Sequence, residues 1–267
     1  MSQFLFAFML TVIAGLSTVI GAFIVFFAKK SNTKFLAVSL GFSAGVMIYV
    51  SFMEILLKGK ESLTEALGES NGMLVMLLSF FGGIAVIALI DKFLPDTHEL
   101  KDVTKYHPKD HNNSESRAKL LRTGLFTALA VTIHNFPEGL MTFMAAMHDP
   151  QVAIPIVVAI AIHNIPEGIA VAAPVYYSTG SKLKAFVITA LSGLSEPVGA
   201  LIGYWLLMPF MSDMVYGIIF SSIAGVMVFI SLDELLPSAR EYGEHHLSIY
   251  GLVAGMAVMA ISLWLLI

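Results

Sequence analysis

The phrase His134-Asn135-Phe136-Pro137-Glu138-Gly139 recurs 29 residues later as His163-Asn164-Ile165-Pro166-Glu167-Gly168. Each copy sits inside a long apolar run. A charged side chain at a bilayer centre costs about 2.5–3.5 kcal/mol on insertion scales, so such groups mark function. Helical positions i and i+4 share a face. His134 therefore projects with Glu138, and His163 with Glu167. Packed antiparallel, two such helices offer two imidazole nitrogens and two carboxylates to one cavity. That donor set suits a divalent first-row metal. Asn135 and Asn164, three residues before the same glutamates, add neutral oxygens. The glutamates could bridge a second ion, as in carboxylate bimetal sites built between bundle helices. Glu196, in Ser195-Glu196-Pro197, is the next intramembrane acid and reads as a third carboxylate of that site.

Pro137 and Pro166 lack an N–H, so the carbonyls of Ile133 and Ile162 lose their helical donor and a kink is expected beside each ligand set. A cavity holding water or metal can satisfy such backbone groups. Gly139 and Gly168 allow close helix approach.

The elements that must hold these residues are membrane helices. The chain of 267 residues is 57% hydrophobic and 13% charged, with a mean hydropathy of +0.82; soluble domains average about 25% charged. It has no cysteine, which excludes disulfides and thiolate metal sites. Its net charge of -4 and lack of a basic face give no sign of a nucleic-acid partner. About 20 apolar residues span a bilayer. Eight windows qualify, at about 3–28, 34–57, 72–94, 122–147, 152–177, 183–208, 213–237 and 247–267. The first is too long for a signal segment and reads as a retained helix. An all-α, polytopic, single transmembrane domain over 1–267 is expected.

Lys and Arg set the orientation. Thirteen of the 15 lie in connections 1–2, 3–4, 5–6 and 7–8; only Lys58 and Lys60 lie on the other side. Both termini should face outward from a plasma or inner membrane. The 3–4 connection, about 95–121, reads as a flexible cytoplasmic loop with scattered histidines (His98, His107, His111).

Internal matches define the architecture. Gly15–Ala22 of the first span matches Gly193–Ala200 of the sixth. Ala44–Met47 and Ser51–Leu56 of the second match Ala224–Met227 and Ser231–Leu236 of the seventh. Gly83–Ala88 of the third matches Gly255–Ala260 of the eighth. Partners stand five spans apart, or one for spans 4 and 5. An odd offset makes partners cross in opposite directions, which is an inverted repeat of 1–3 and 6–8 around central helices 4–5. Secondary transporters built this way bind substrate near the midplane, at the repeat interface. Glu196 is the clear asymmetry, because its partner is Thr18. Met53-Glu54 and Asp233-Glu234 are repeat-equivalent and fall towards opposite ends of their spans. They suggest an entry near the outer mouth and an exit near the cytoplasmic one.

With two HNxPEG motifs, a sixth-span SEP and a seventh-span DELLP, the chain resembles the ZIP (Zrt/Irt-like) divalent metal permeases over essentially its whole length. The resemblance implies uptake of zinc, and often iron, manganese, cobalt or cadmium, into the cytoplasm. It implies one metal at His134, Glu138, His163 and Glu167, and another at Asn135, Glu138, Asn164, Glu167 and Glu196. It places Met53 on the entry side and Asp233-Glu234 on the exit side. It further implies a homodimer and an elevator-like or rocking movement in the lipid bilayer. The metal is cargo, and no cofactor is expected. Two other readings of the same residues are a membrane-embedded metal hydrolase and a proton or cation exchanger. Against the first, no H-E-x-x-H is present; against direct ATP coupling, there is no Walker motif.

Overall fold

The structure is a computed structural model describing residues 2–27, 33–92, 114–148, 150–242 and 245–266. Regular structure among them is entirely helical. Helix α1 spans Gln3–Phe27. Helix α2, Thr33–Val50, runs through a π-helical turn, Ser51–Ile55, into α3, Leu56–Leu67. Gly68, at φ 79°, reverses the chain into α4, Glu69–Asp91. The motif helices are α5, Ser114–His148, and α6, Pro150–Thr179. Gly180, at φ 69°, ends α6. Then follow α7, Lys182–Gly193, and α8, Ser195–Leu207, then α9, Asp213–Ile230. A second π-helical turn, Ser231–Leu235, leads into α10, Leu236–Tyr242, and α11 is His245–Leu266. Ser181 and Ser212 cap α7 and α9 by accepting from the N–H groups of Lys184 and Val215.

Among the described residues, seven helical runs are long and apolar enough to cross a membrane: Gln3–Phe27, Lys34–Leu67, Glu69–Asp91, Ala153–Thr179, Lys182–Phe210, Asp213–Arg240 and His246–Leu265. The fourth expected span, 122–147, lies within α5. That helix has length to spare at 35 residues, but Arg117, Arg122, His134, Asn135 and Glu138 dilute its apolar character. Helix α5 starts at Ser114, inside the stretch read as a loop. Residues 95–113, with His98, His107 and His111, lie outside the described residues.

Two local differences have physical causes. The second run extends to Leu67 because Gly59, Ser62 and Leu63 form a narrow buried stripe on an otherwise polar helix. A side chain at Gly59 would meet Ser221 of α9, and one at Gly217 would meet Leu63. The sixth run breaks at Leu194 between α7 and α8. Pro197 has no N–H for the carbonyl of Gly193, and that oxygen packs against Gly15. Helices α5 and α6, by contrast, continue through Pro137 and Pro166.

Helices α1, α5, α6, α7 and α8 pack on one another. Helix α2 packs on α11, α9 packs on α3 and α4, and α6 also packs on α2. The tightest approaches fall at matched glycines. A side chain at Gly45 would strike the carbonyl oxygen of Leu252, and one at Gly225 that of Phe80. Gly83 faces Ser222 O, and Gly255 faces Phe42 O. Gly21 faces Ile165 O, and Gly199 faces Phe136 O. Small residues permit such backbone contact where helices have no hydrophobic drive to associate. Both π turns begin at a serine that bonds four residues back: Ser51 Oγ to Met47 O at 2.6 Å and Ser231 Oγ to Met227 O at 2.7 Å. Such back-bonding competes with the regular ladder and bends helices.

Candidate metal centre

Helices α5 and α6 pack side by side, and α8 brings a third element alongside. A side chain at Gly139 would strike Glu196 O, and one at Gly168 would strike Thr18 O. These contacts set α8 against α5 and α1 against α6 at the motif level. The seven residues His134, Asn135, Glu138, His163, Asn164, Glu167 and Glu196 are all buried, none more than 2% exposed.

Imidazole and carboxylate meet crosswise between the two helices. His134 Nε2 lies 3.3 Å from Glu167 Oε2, and His163 Nε2 lies 3.3 Å from Glu138 Oε2. The shared face within each helix brings the residues into the cavity, and the partner then comes from the opposite helix. Neither atom of the His134–Glu167 pair makes a hydrogen bond of good geometry.

The protonation of His163 follows from its other ring nitrogen. Nδ1 stands 3.1 Å from Ala159 O. A carbonyl only accepts, so Nδ1 carries the proton, and in the neutral ring Nε2 presents its lone pair to Glu138. A carbonyl partner on one nitrogen is the usual way a metal-ligating histidine is held in its tautomer. Without a proton on Nε2, its lone pair and the Glu138 carboxylate would be two acceptors face to face; with one, Nε2 donates to Glu138 Oε2 at 3.3 Å. Something positive belongs between them, either a proton or a metal ion.

Asn164 and Asn135 differ. Asn164 Nδ2 donates to Ala14 O at 2.9 Å and to Glu196 Oε1 at 2.5 Å. Both polar side-chain atoms of Asn135 are buried without a partner, as are Asn164 Oδ1, Glu138 Oε1, Glu167 Oε1 and Glu196 Oε2. So many orphaned buried oxygens in one place cost far more than any packing role returns. They fit a cation as the missing partner. Among the described residues, no three His, Asp or Glu side chains already converge on one point. The candidate ligands are gathered in two His–Glu pairs, and closing them on a shared ion would need side-chain adjustment.

The outer residues are distributed differently. Met53 is 48% exposed and Glu54 half-buried, both within the first π turn; Asp233 is exposed and Glu234 half-buried, both within the second. Glu234 lines a crevice with His134, Asp91, Ile133 and Phe229, and thereby connects the second π turn to the site. Two residues of this region escape a reading of sequence alone. Asp91, at the end of α4, shares the crevice with His134 and Glu234. Ser43 of α2 donates to His163 O at 3.2 Å, and nothing in its small-residue context signals that.

A family model described as ZIP Zinc transporter matches residues 92–263. A protein called Zinc transporter ZupT from Clostridium perfringens is 57% identical, covering 100% of this chain and 98% of that protein. Proteins of the same description from Streptococcus mutans and Lysinibacillus sphaericus are 58% and 57% identical. The first covers 100% of both chains and the second 98% of both. With its apolar helices, this chain is a multi-pass membrane protein. It belongs to the ZIP zinc transporter family.

Proposed function

We propose that this protein carries zinc into the cytoplasm through a midplane site between α5 and α6, by alternating access. The observation that carries this reading is the pair His163 and Glu138: a buried imidazole nitrogen and a buried carboxylate oxygen on facing helices, 3.3 Å apart. Zinc binds both atom types at about 2.0–2.2 Å, so one ion between them takes the place of the proton and gains two bonds. The names of the relatives agree with it. Iron, manganese, cobalt and cadmium ions of the same charge compete for the same donors.

The site is binuclear in this reading. His134, Glu138, His163 and Glu167 hold one ion. Asn135, Asn164 and Glu196 join the bridging glutamates around the second. Eight spans, with α5 supplying the fourth, form an inverted repeat of 1–3 and 6–8 around α5 and α6. The matched glycine contacts and the matched serine-led π turns support this pairing. Both termini face outward, following the lysine and arginine distribution. An ion enters by Met53-Glu54 and leaves by the crevice at Glu234 and Asp91. The bundle of α1, α5, α6, α7 and α8 moves against the remainder, and two copies associate in the bilayer.

The chain is a transporter and not a hydrolase, in keeping with its family. An exchanger working on carboxylates alone would leave the two imidazoles without a task. Zinc flux into proteoliposomes tests the proposal, with Glu138→Ala/Glu167→Ala as the comparison. Unchanged uptake in that double variant overturns it.

A further inference from the structure

A second cavity, of about 460 Å³, lies between α4, α5 and α9, beside the crevice at Glu234, with which it shares Ile87 and Ile133. Val86, Ile87, Ile90, Ile133, Phe136 and Val226 form most of its wall. We propose that it binds one acyl chain of an anionic phospholipid whose headgroup sits at Arg122.

The wall offers nothing to a polar ligand. Its one hydroxyl, Thr132 Oγ1, already donates to Ala128 O at 2.7 Å and lies 3.1 Å from Ser192 Oγ. The volume falls within the ~300–1,000 Å³ of small-molecule sites. Val86 and Ile90 at the rim are 58% and 41% exposed, as are Leu89 (58%) and Leu129 (42%) beside them, so the cleft opens onto the lipid-facing surface. Hydrocarbon surrounds such a surface, and an empty apolar cleft forfeits the contacts that a chain would restore.

Arg122 supplies the charge. Positions 122, 126, 129, 133 and 136 follow the 3–4 spacing of one helix face, so Arg122 stands in line with Ile133 and Phe136 of the wall. It lies about 16 Å from Ile133 along the axis, a distance a phospholipid spans from phosphate to mid-chain. Its guanidinium is held along the helix, 5.4 Å from the Phe126 ring centre. In the proposed topology that end of α5 meets the cytoplasmic leaflet, where anionic headgroups attract basic side chains. The leaflet assignment rests on that topology; the cleft and the aligned arginine do not.

The cleft also marks where the two halves of the proposed repeat pack differently. Pro166 is buried on one side, and Pro137 is half-exposed in the cleft wall on the other. Ser43 bonds α2 to α6 at His163 O, and its repeat equivalent on α9 is Ile223, which cannot donate. An acyl chain therefore fills the side that side-chain packing leaves open.

Tryptophan quenching by brominated lipids tests this on the full-length protein. The two native tryptophans, Trp205 and Trp264, are 76% and 72% exposed. In a Trp205→Phe/Trp264→Phe background, Ile90→Trp places a reporter at the cleft rim. Brominated phosphatidylglycerol is expected to bind there about fivefold tighter than brominated phosphatidylcholine, the preference one arginine provides. Arg122→Gln should remove the preference. A second reporter, native Trp264 in a Trp205→Phe background, should show none. Equal affinity for both lipids at the rim overturns the proposal, because the lipid there is then ordinary boundary lipid. Absence of quenching at the rim also overturns it, since protein then covers the cleft. Zinc flux in the same vesicles is read separately: its loss in every lipid, with selective quenching intact, tells against the transport proposal alone.

Discussion

Glu138 Oε2 and His163 Nε2 face each other at 3.3 Å across two helices, and the Nδ1 of the same histidine is committed to Ala159 O. This pair makes a specific prediction for Glu138→Gln. The new amide can donate to Nε2 of the neutral ring, so the contact at 3.3 Å is kept without a buried charge. Thermal stability in detergent should hold or rise. Zinc uptake should fall at least about tenfold, since losing a ligand costs no less than losing an outer-shell partner, roughly 10–100-fold in affinity. A variant that unfolds more easily yet transports normally would contradict both halves of the argument.

The two asparagines separate a structural role from a metal-facing one. Asn164 bonds Ala14 O and Glu196 Oε1, and both polar side-chain atoms of Asn135 are buried without a partner. Asn164→Ala breaks both bonds and strands the Glu196 carboxylate, so it should lower unfolding stability by about 1–3 kcal/mol. Asn135→Ala removes atoms with no partner to strand, and its stability should change little. Both should weaken zinc uptake if both side chains reach the second ion. Calorimetry in detergent alongside radiozinc uptake distinguishes the two effects.

Much of this site was legible in the sequence because burial makes polar residues conspicuous. Histidine, asparagine and glutamate, doubled at a fixed offset inside apolar runs, have few roles other than ligation. The glycine matches were legible too, since Gly15 with Gly193 and Gly83 with Gly255 stood in one order. The crosswise pairing was not, because i and i+4 spacing fixes a face and says nothing of the neighbour it meets. Nor were the π turns at Ser51 and Ser231, which are backbone irregularities led by a serine hydroxyl. The extension to Leu67 was hidden by Lys58, Lys60 and Glu61, whose polarity masked the narrow Gly59-Ser62-Leu63 stripe.

Two glycines predict opposite responses to one methyl group. A Cβ on Gly168 would run into the carbonyl oxygen of Thr18, so α1 must shift away from the motif. Gly82 of α4 has nothing within 4 Å. Gly168→Ala should destabilise by about 1–3 kcal/mol as overpacking does, and should lower uptake through the displaced Asn164–Ala14 contact. Gly82→Ala should be neutral or stabilise by about 0.5–1 kcal/mol through backbone entropy. Melting temperatures of the two variants, measured in one detergent, suffice to rank them.

Orientation is testable because the chain has no cysteine, so any introduced thiol is the only one. In the proposed topology the turn between α6 and α7 lies in the cytoplasm and the turn between α3 and α4 outside. Ser70, in the first turn of α4, and Lys184, in the first turn of α7, are both exposed. A membrane-impermeant maleimide should therefore label Ser70→Cys in intact cells and Lys184→Cys only after permeabilisation. A gel shift with a mass-tagged reagent reads both. The reverse pattern would invert the chain in the bilayer. The crevice at Glu234 and Asp91 would then become the entrance, and the same site would have to export zinc. Zinc uptake by cells that show the predicted labelling ties direction to topology, since the crevice then opens on the side where the ion is released.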